Sequence, residues 1–230
     1  MPATRAAGTA VACAALAWGV TAAGIAGATE DPGKAAAPRL EFVPPTAGSY
    51  RLEKIQRVVD AVLLDSAGRS ARLAPLTQGK ITLLTFFYTY CVDPLGCPFA
   101  HTTMAALRDR VRGDRSLTGR VRFVSISLDP SHDTPAAITS YAREFTVDPK
   151  FEWRFLTARR VPELLPVLDD FGQDVSVELD ENGRATRTMH HMLKMFLIDT
   201  GGEVREIYTL AFIQPQVIFN DIKTLAMEGG

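Results

Sequence analysis

Residues 81–101 read "ITLLTFFYTYCVDPLGCPFAH", and this stretch decides the fold. Ile81 to Thr89 is unbroken apolar, β-branched or aromatic sequence, as in a central strand covered on both faces. Pro98 is preset for the first turn of a helix, which places Cys97 at its cap. Met104, Leu107 and Val111 then recur on one helical face. A cysteine just after a buried strand, with another at the next helix start, puts two sulfurs where a helix N-terminus lowers thiol pKa.

Working outward, the same alternation continues. "VRFVSISL" (Val121 to Leu128) predicts a second buried strand. Thr134-Pro135 opens a helix with Ile138, Tyr141, Ala142 and Phe145 facing inward. "WRFLTA" predicts a short strand, and "VPELLPVLDDFG" a helix that ends by Gly172, with Pro166 starting or kinking it. Two polar strands flank the hairpin signal Asn182-Gly183, and "LKMFLID" and "EVREIYT" flank Thr200-Gly201-Gly202. On the N-terminal side, Ala61 to Ala74 predicts a hairpin about Ser66-Ala67-Gly68. Pro215 to Met227 closes the chain as a helix with Ile218, Ile222 and Leu225 on one side. The order predicts an α/β, thioredoxin-like fold: a central mixed sheet flanked by helices, with an inserted hairpin.

A chain of 230 residues suits one well-buried domain, and 47% apolar with 22% charged residues excludes disorder. The net charge of −1 gives no footprint for nucleic acid. "RDRVRGDR" (Arg108 to Arg115) is interrupted by Asp109 and Asp114 and reads as a solvated helix face. The N-terminus is different. Arg5 precedes an uncharged run from Ala6 to Thr29 that reaches Ala26-Gly27-Ala28 ahead of Glu30 and Asp31. Residues 1–28 therefore read as a signal peptide or N-terminal anchor, residues 29–45 as a Pro/Ala-rich linker, and residues 46–230 as the domain. Cys13 lies within the first segment and stays outside the chemistry.

Export leaves Cys91 and Cys97 in a compartment where disulfides persist. A staple across so short a loop adds little to a domain with a core. Lowered thiol pKa serves both attack on disulfides and ligation of soft metals, and the cysteines alone do not choose. A peroxidase of the peroxiredoxin kind needs a Thr three residues before the attacking Cys, whereas Thr89 stands only two before Cys91. Of the four histidines, His101 lies one turn into the helix, either near the site or exposed. His132 in "SHDTP" reads as a surface residue. His190 and His191, if extended, point to opposite faces. Met189, Met192 and Met195 read as core filling.

"FFYTYC…CP", "VSISLDPSHDTP", "WRFLTA", "FG" and "H-x5-LID" together resemble the Sco/SenC family over roughly residues 50–226. That resemblance implies a thioredoxin-fold, membrane-facing copper protein linked to assembly of the CuA centre of cytochrome c oxidase. It implies that Cys91, Cys97 and His191 bind one copper, as Cu(I), Cu(II) or both. It places Asp129 close to the site, to orient a ligand or meet a partner. The family's usual Cys-x3-Cys is here Cys-x5-Cys, with Pro94 and Gly96 favouring a tight turn. The implied function is an exported metallochaperone rather than an enzyme, periplasmic or anchored facing the periplasm. Its partners would be a copper-enzyme client, an oxidase subunit, and a copper or electron donor protein. The alternative is a thiol–disulfide oxidoreductase that keeps a client's ligand cysteines reduced, with Cys91 and Cys97 as the redox pair.

Overall fold

A computed structural model describes residues 42–228. The expected signal or anchor over residues 1–28, and the linker up to residue 41, lie outside the described residues.

The two continuous apolar runs form the centre of the sheet. β4 (Ile81–Phe87) and β5 (Val121–Ser127) are buried at every position and run parallel, in register from Ile81 opposite Val121 to Phe87 opposite Ser127. β6 (Trp153–Thr157) continues the parallel side. On the other side of β4 lies antiparallel β9 (Lys194–Ile198), followed through a tight turn by β10 (Glu203–Thr209). Gly202 makes that turn possible with φ +84°. β2 (Val62–Asp65) and β3 (Ser70–Arg72) form the early hairpin beside β6, and β1 (Gln56–Arg57) borders β10. The eight-stranded order is β1-β10-β9-β4-β5-β6-β2-β3, a mixed sheet as the sequence predicts.

Helices cover it: the single turn α1 (Leu73–Leu76), then α2 (Cys97–Gly113), α3 (Pro135–Ala142), α4 (Val161–Asp170) and α5 (Pro215–Glu228). α2 packs with α5, α3 lies on β6, and α4 lies against β2. The Thr134 hydroxyl accepts from the Ala137 N–H at 3.3 Å and caps α3, whose Ile138 and Ala142 are buried. α2 starts one residue earlier than the sequence suggests. Its first bond runs from the Ala100 N–H to the Gly96 carbonyl at 3.1 Å, so Gly96 is the cap and Cys97 is already helical. Pro166 lies inside α4 rather than starting it.

The inserted hairpin stands apart from the main sheet. β7 (Val175–Leu179) and β8 (Ala185–His191) form a two-stranded sheet of their own, with His191 opposite Val175 and His190 opposite Ser176. The Asp180 carboxylate accepts from the Asn182 and Arg184 N–H groups, each at 2.9 Å, and closes the turn that Asn182-Gly183 signals.

Candidate metal centre

The chain leaves β4 at Phe87 and must reach α2 at Cys97. The Cys91 N–H donates to the Tyr88 carbonyl at 3.2 Å. Asp93 then organises a turn. Its carboxylate accepts from the Leu95 N–H and its carbonyl from the Gly96 N–H, both at 2.9 Å. The loop folds back so far that a Cβ on Gly96 would lie 3.1 Å from Cys91 Sγ. The five-residue spacer is thus taken up by the Asp93–Gly96 turn, and the two sulfurs stay together. Both cysteines are free thiols here, Cys91 half-buried and Cys97 buried.

Their protons are unequal. The Cys97 thiol donates to Cys91, and this bond is the main reason that the Cys91 thiol is pulled down to about 5. Burial opposes the shift, while the Cys97 and Asp93 N–H groups and the Tyr88 hydroxyl add to it. Cys97 moves the other way, because its proton is held by the neighbouring sulfur and burial disfavours a second charge. The thiolate is therefore the loop cysteine, not the one at the helix start.

His191 ends β8 and lines the same cavity as Cys91, about 920 Å³, together with Tyr88, Asp93, Leu95 and Met192. Its Nδ1 stands 3.3 Å from the Met192 carbonyl. A carbonyl only accepts, so Nδ1 carries the proton and the Nε2 lone pair is free. Burial lowers the imidazole pKa from 6.5 and keeps the ring neutral. The Tyr88 ring lies edge-on to His191 at 6.1 Å while its hydroxyl serves Cys91, so one side chain touches both. His190 also borders this cavity, but it is exposed and lies beside Glu178. Met195 is core filling, Met189 is half-buried, and Met192 is 59% exposed at the rim, so the expectation of core filling fails for Met192. Among the described residues, no three His, Cys, Asp or Glu side chains form a ready-made ion cage.

Asp129 does not line this cavity. It faces a neighbouring one of about 470 Å³, shared with Tyr90, Ser131, His132 and Gln173. Its carboxylate accepts from the Tyr90 hydroxyl, from His132 Nδ1 at 2.5 Å and from the Ser131 N–H at 3.1 Å. Burial pushes Asp129 up, but the Tyr90 and His132 bonds outweigh it and hold the carboxyl below its ordinary value. Tyr90 packs edge-to-face on Tyr88 at 4.9 Å, so Asp129 reaches the sulfurs through two tyrosines. His132 is exposed, as expected, yet engaged with Asp129. The guanidinium of Arg187, from β8, covers the other side of Tyr90 at 4.5 Å.

Two further residues support the site without having been singled out in the sequence. Buried Asp133 accepts from the Thr89 N–H at 3.1 Å, from its hydroxyl at 2.6 Å and from the Ser127 hydroxyl at 2.6 Å, which ties the cysteine loop to β5. Gln173 donates to the Met192 carbonyl at 3.1 Å. The only sequence signal for Asp133 is its place before the Thr134-Pro135 helix start. His101 is fully buried and hydrogen-bonded to the Tyr141 hydroxyl at 2.7 Å and the Ser125 hydroxyl at 3.1 Å. It is a core residue among Phe87, Phe145, Trp153 and Phe155, not an exposed one.

Sulfur chemistry at the junction of a buried strand and a helix, on a mixed sheet flanked by helices, makes this a thioredoxin-like dithiol protein. The sequence profile of the SCO1/SenC family matches residues 59–227, and the chain belongs to that family. It is similar to a SCO1/SenC family lipoprotein from Bacillus anthracis, at 25% identity and a TM-score of 0.62 over 74% of this chain and 95% of that one. It is also similar to Bradyrhizobium japonicum ScoI with copper bound, at 25% identity and a TM-score of 0.59 over 73% and 98%. The fold is shared with BsSco, described as having a disulfide switch and as a member of the Sco family of cytochrome c oxidase assembly proteins. That match has 20% identity and a TM-score of 0.59 over 76% and 97%. No curated protein matches the chain. No helix among the described residues is long and apolar enough to cross a membrane.

Proposed function

We propose that this chain is an exported copper-binding metallochaperone that helps assemble a copper centre, the CuA site of cytochrome c oxidase, by passing copper through Cys91, Cys97 and His191. The observation that carries the reading is that Cys91 and His191 line one cavity, with Cys97 hydrogen-bonded to Cys91 and the His191 Nε2 lone pair unused by its Nδ1 bond. The donor set fits copper: two sulfurs suit Cu(I), and an added neutral imidazole suits Cu(II). Cys91 is already ionised near neutral pH, so capture of the cargo releases one proton, that of Cys97. His191 comes from the hairpin and the cysteines from the β4–α2 loop, so the bound ion joins two separate pieces of chain. Transfer is then ligand exchange: client sulfurs replace Cys91 and Cys97 one at a time. Asp129 acts behind the site, holding Tyr90 under the cysteine loop.

Support comes from the copper-bound relative and from family membership. Residues 1–28 provide export or a membrane anchor that keeps the domain facing the periplasm. The partners are a copper-enzyme client, an oxidase subunit, and a copper donor.

A specific observation also favours a second reading. A thiolate at about 5 beside a protonated thiol is an attacking and resolving pair. Cys91 would attack a client disulfide and form a mixed disulfide. Cys97, deprotonated as it attacks, would then resolve it, leaving a Cys91–Cys97 disulfide and two client thiols. An electron donor protein would return two electrons. Copper titration of the reduced protein separates the readings. Cu(II) binding should weaken sharply in His191→Ala, and both oxidation states should be lost in Cys91→Ala/Cys97→Ala. Wild-type-like binding in all variants sinks the metallochaperone, and thiol exchange that survives in His191→Ala then supports the reductase.

A further inference from the structure

The orientation of His191 depends on one carbonyl group. The Met192 carbonyl oxygen accepts from His191 Nδ1 at 3.3 Å and from Gln173 Nε2 at 3.1 Å. Gln173 belongs to the turn that ends α4, where Gly172 has φ +54° and the Gln173 N–H bonds to the Leu168 carbonyl at 2.8 Å. The Gly172 carbonyl in turn accepts from Lys194 Nζ at 2.5 Å. The end of α4 therefore grips the link between β8 and β9 at residue 192 and the start of β9 at residue 194.

Gln173 is only 3% exposed, and its Oε1 is buried with no hydrogen-bond partner. The amide cannot improve matters by flipping, because that would set its oxygen against the Met192 oxygen. Burial of an unsatisfied acceptor is unfavourable, so an apolar side chain of the same length would serve packing at least as well. What Gln173 supplies and an apolar residue does not is a donor to the carbonyl that His191 uses.

We propose that Gln173 is a positioning residue for His191. By fixing the Met192 carbonyl, it holds the imidazole as the Nδ1–H tautomer and keeps the Nε2 lone pair available for the cysteine cavity. Its consequence for metal binding rests on the copper-site reading, whereas the tautomer itself does not. Gln173 thereby extends the centre to α4, an element that contributes no ligand.

Nitrogen NMR of histidine-labelled apo protein tests this directly, with Gln173→Met as the packing-matched variant. In wild type His191 should be the Nδ1–H tautomer, and in Gln173→Met a mixture of both. Cu(II) affinity should fall about tenfold, the size of effect seen when an outer partner of a histidine ligand is removed. Cu(I) affinity, carried by the sulfurs, should fall less. Thermal stability should be equal or higher, which a purely structural role would not give. Gln173→Glu, which keeps the length but has no donor when ionised, should give the same tautomer mixture if Gln173→Met does not fold. A retained Nδ1–H tautomer with unchanged Cu(II) affinity overturns the proposal. A changed tautomer in a protein whose wild type binds no copper upholds the positioning and sinks the metallochaperone.

Discussion

The proton shared by Cys91 and Cys97 sits on Cys97, and this asymmetry has a pH signature. Cys91 falls from the ordinary 9.0 to about 5 on folding. Between those values the native chain is ionised and the unfolded chain is protonated, so stability rises with pH through that window. The contribution is complete above 9.0 and is lost as pH falls through about 5. The raised pKa of Cys97 opposes it at alkaline pH, where the unfolded thiol ionises and the native one does not. Iodoacetamide should therefore label Cys91 with a midpoint near 5, and Cys97→Ala should move that midpoint up toward 9.0. An unmoved midpoint would show that Cys97 is not the donor. His191 was legible in the sequence from its spacing to "LID" together with the family pattern. Which sulfur ionises was not, since that depends on the direction of one hydrogen bond. Nor was the imidazole tautomer, which is set by a backbone carbonyl that every residue carries.

The elements around the site follow from short local signals, and their arrangement less so. Asn182-Gly183, Thr134-Pro135 and the two continuous apolar runs each specify their own structure by turn chemistry, capping or burial. That β7 and β8, among the described residues, pair only with each other was not visible, because polar alternation looks the same in a sheet margin and in a free-standing hairpin. The Asp93–Gly96 turn lies between these cases: Pro94 and Gly96 announce a turn, but the closeness of Gly96 to Cys91 Sγ is a tertiary fact. A Cβ at Gly96 would stand 3.1 Å from that sulfur and 3.3 Å from the Asp93 carbonyl oxygen. Gly96→Ala should displace the sulfur, weaken its bond to Cys97 and raise the labelling midpoint. It should also cost about 1 kcal/mol of stability in denaturant unfolding, as overpacking does. Labelling unchanged in this variant would mean that the loop has room to spare. Thr134→Ala removes a cap from α3 and should likewise cost about 1 kcal/mol, read from the same unfolding curves.

For the molecule as a whole, the buried His101 sets a limit on acid tolerance. Burial holds it down at about 3, against an ordinary 6.5, so below 6.5 the unfolded chain takes up a proton that the native chain refuses. Stability from this group is full above 6.5 and declines by about 1.4 kcal/mol per pH unit below it. Denaturant unfolding at pH 7 and pH 5 should show a steeper loss in wild type than in His101→Gln. Equal losses would mean that His101 does not titrate on unfolding. The two borders of the main sheet have a different consequence. β1 and β3 have two and three residues, so among the described residues a sheet eight strands wide ends on both sides in stubs. Stubs of this length are poor templates for strand addition by another chain, although β1 covers only Glu203 and Val204 of β10. The sheet that carries the cysteine loop at the end of its central strand thereby gives copies of itself only short borders to pair with.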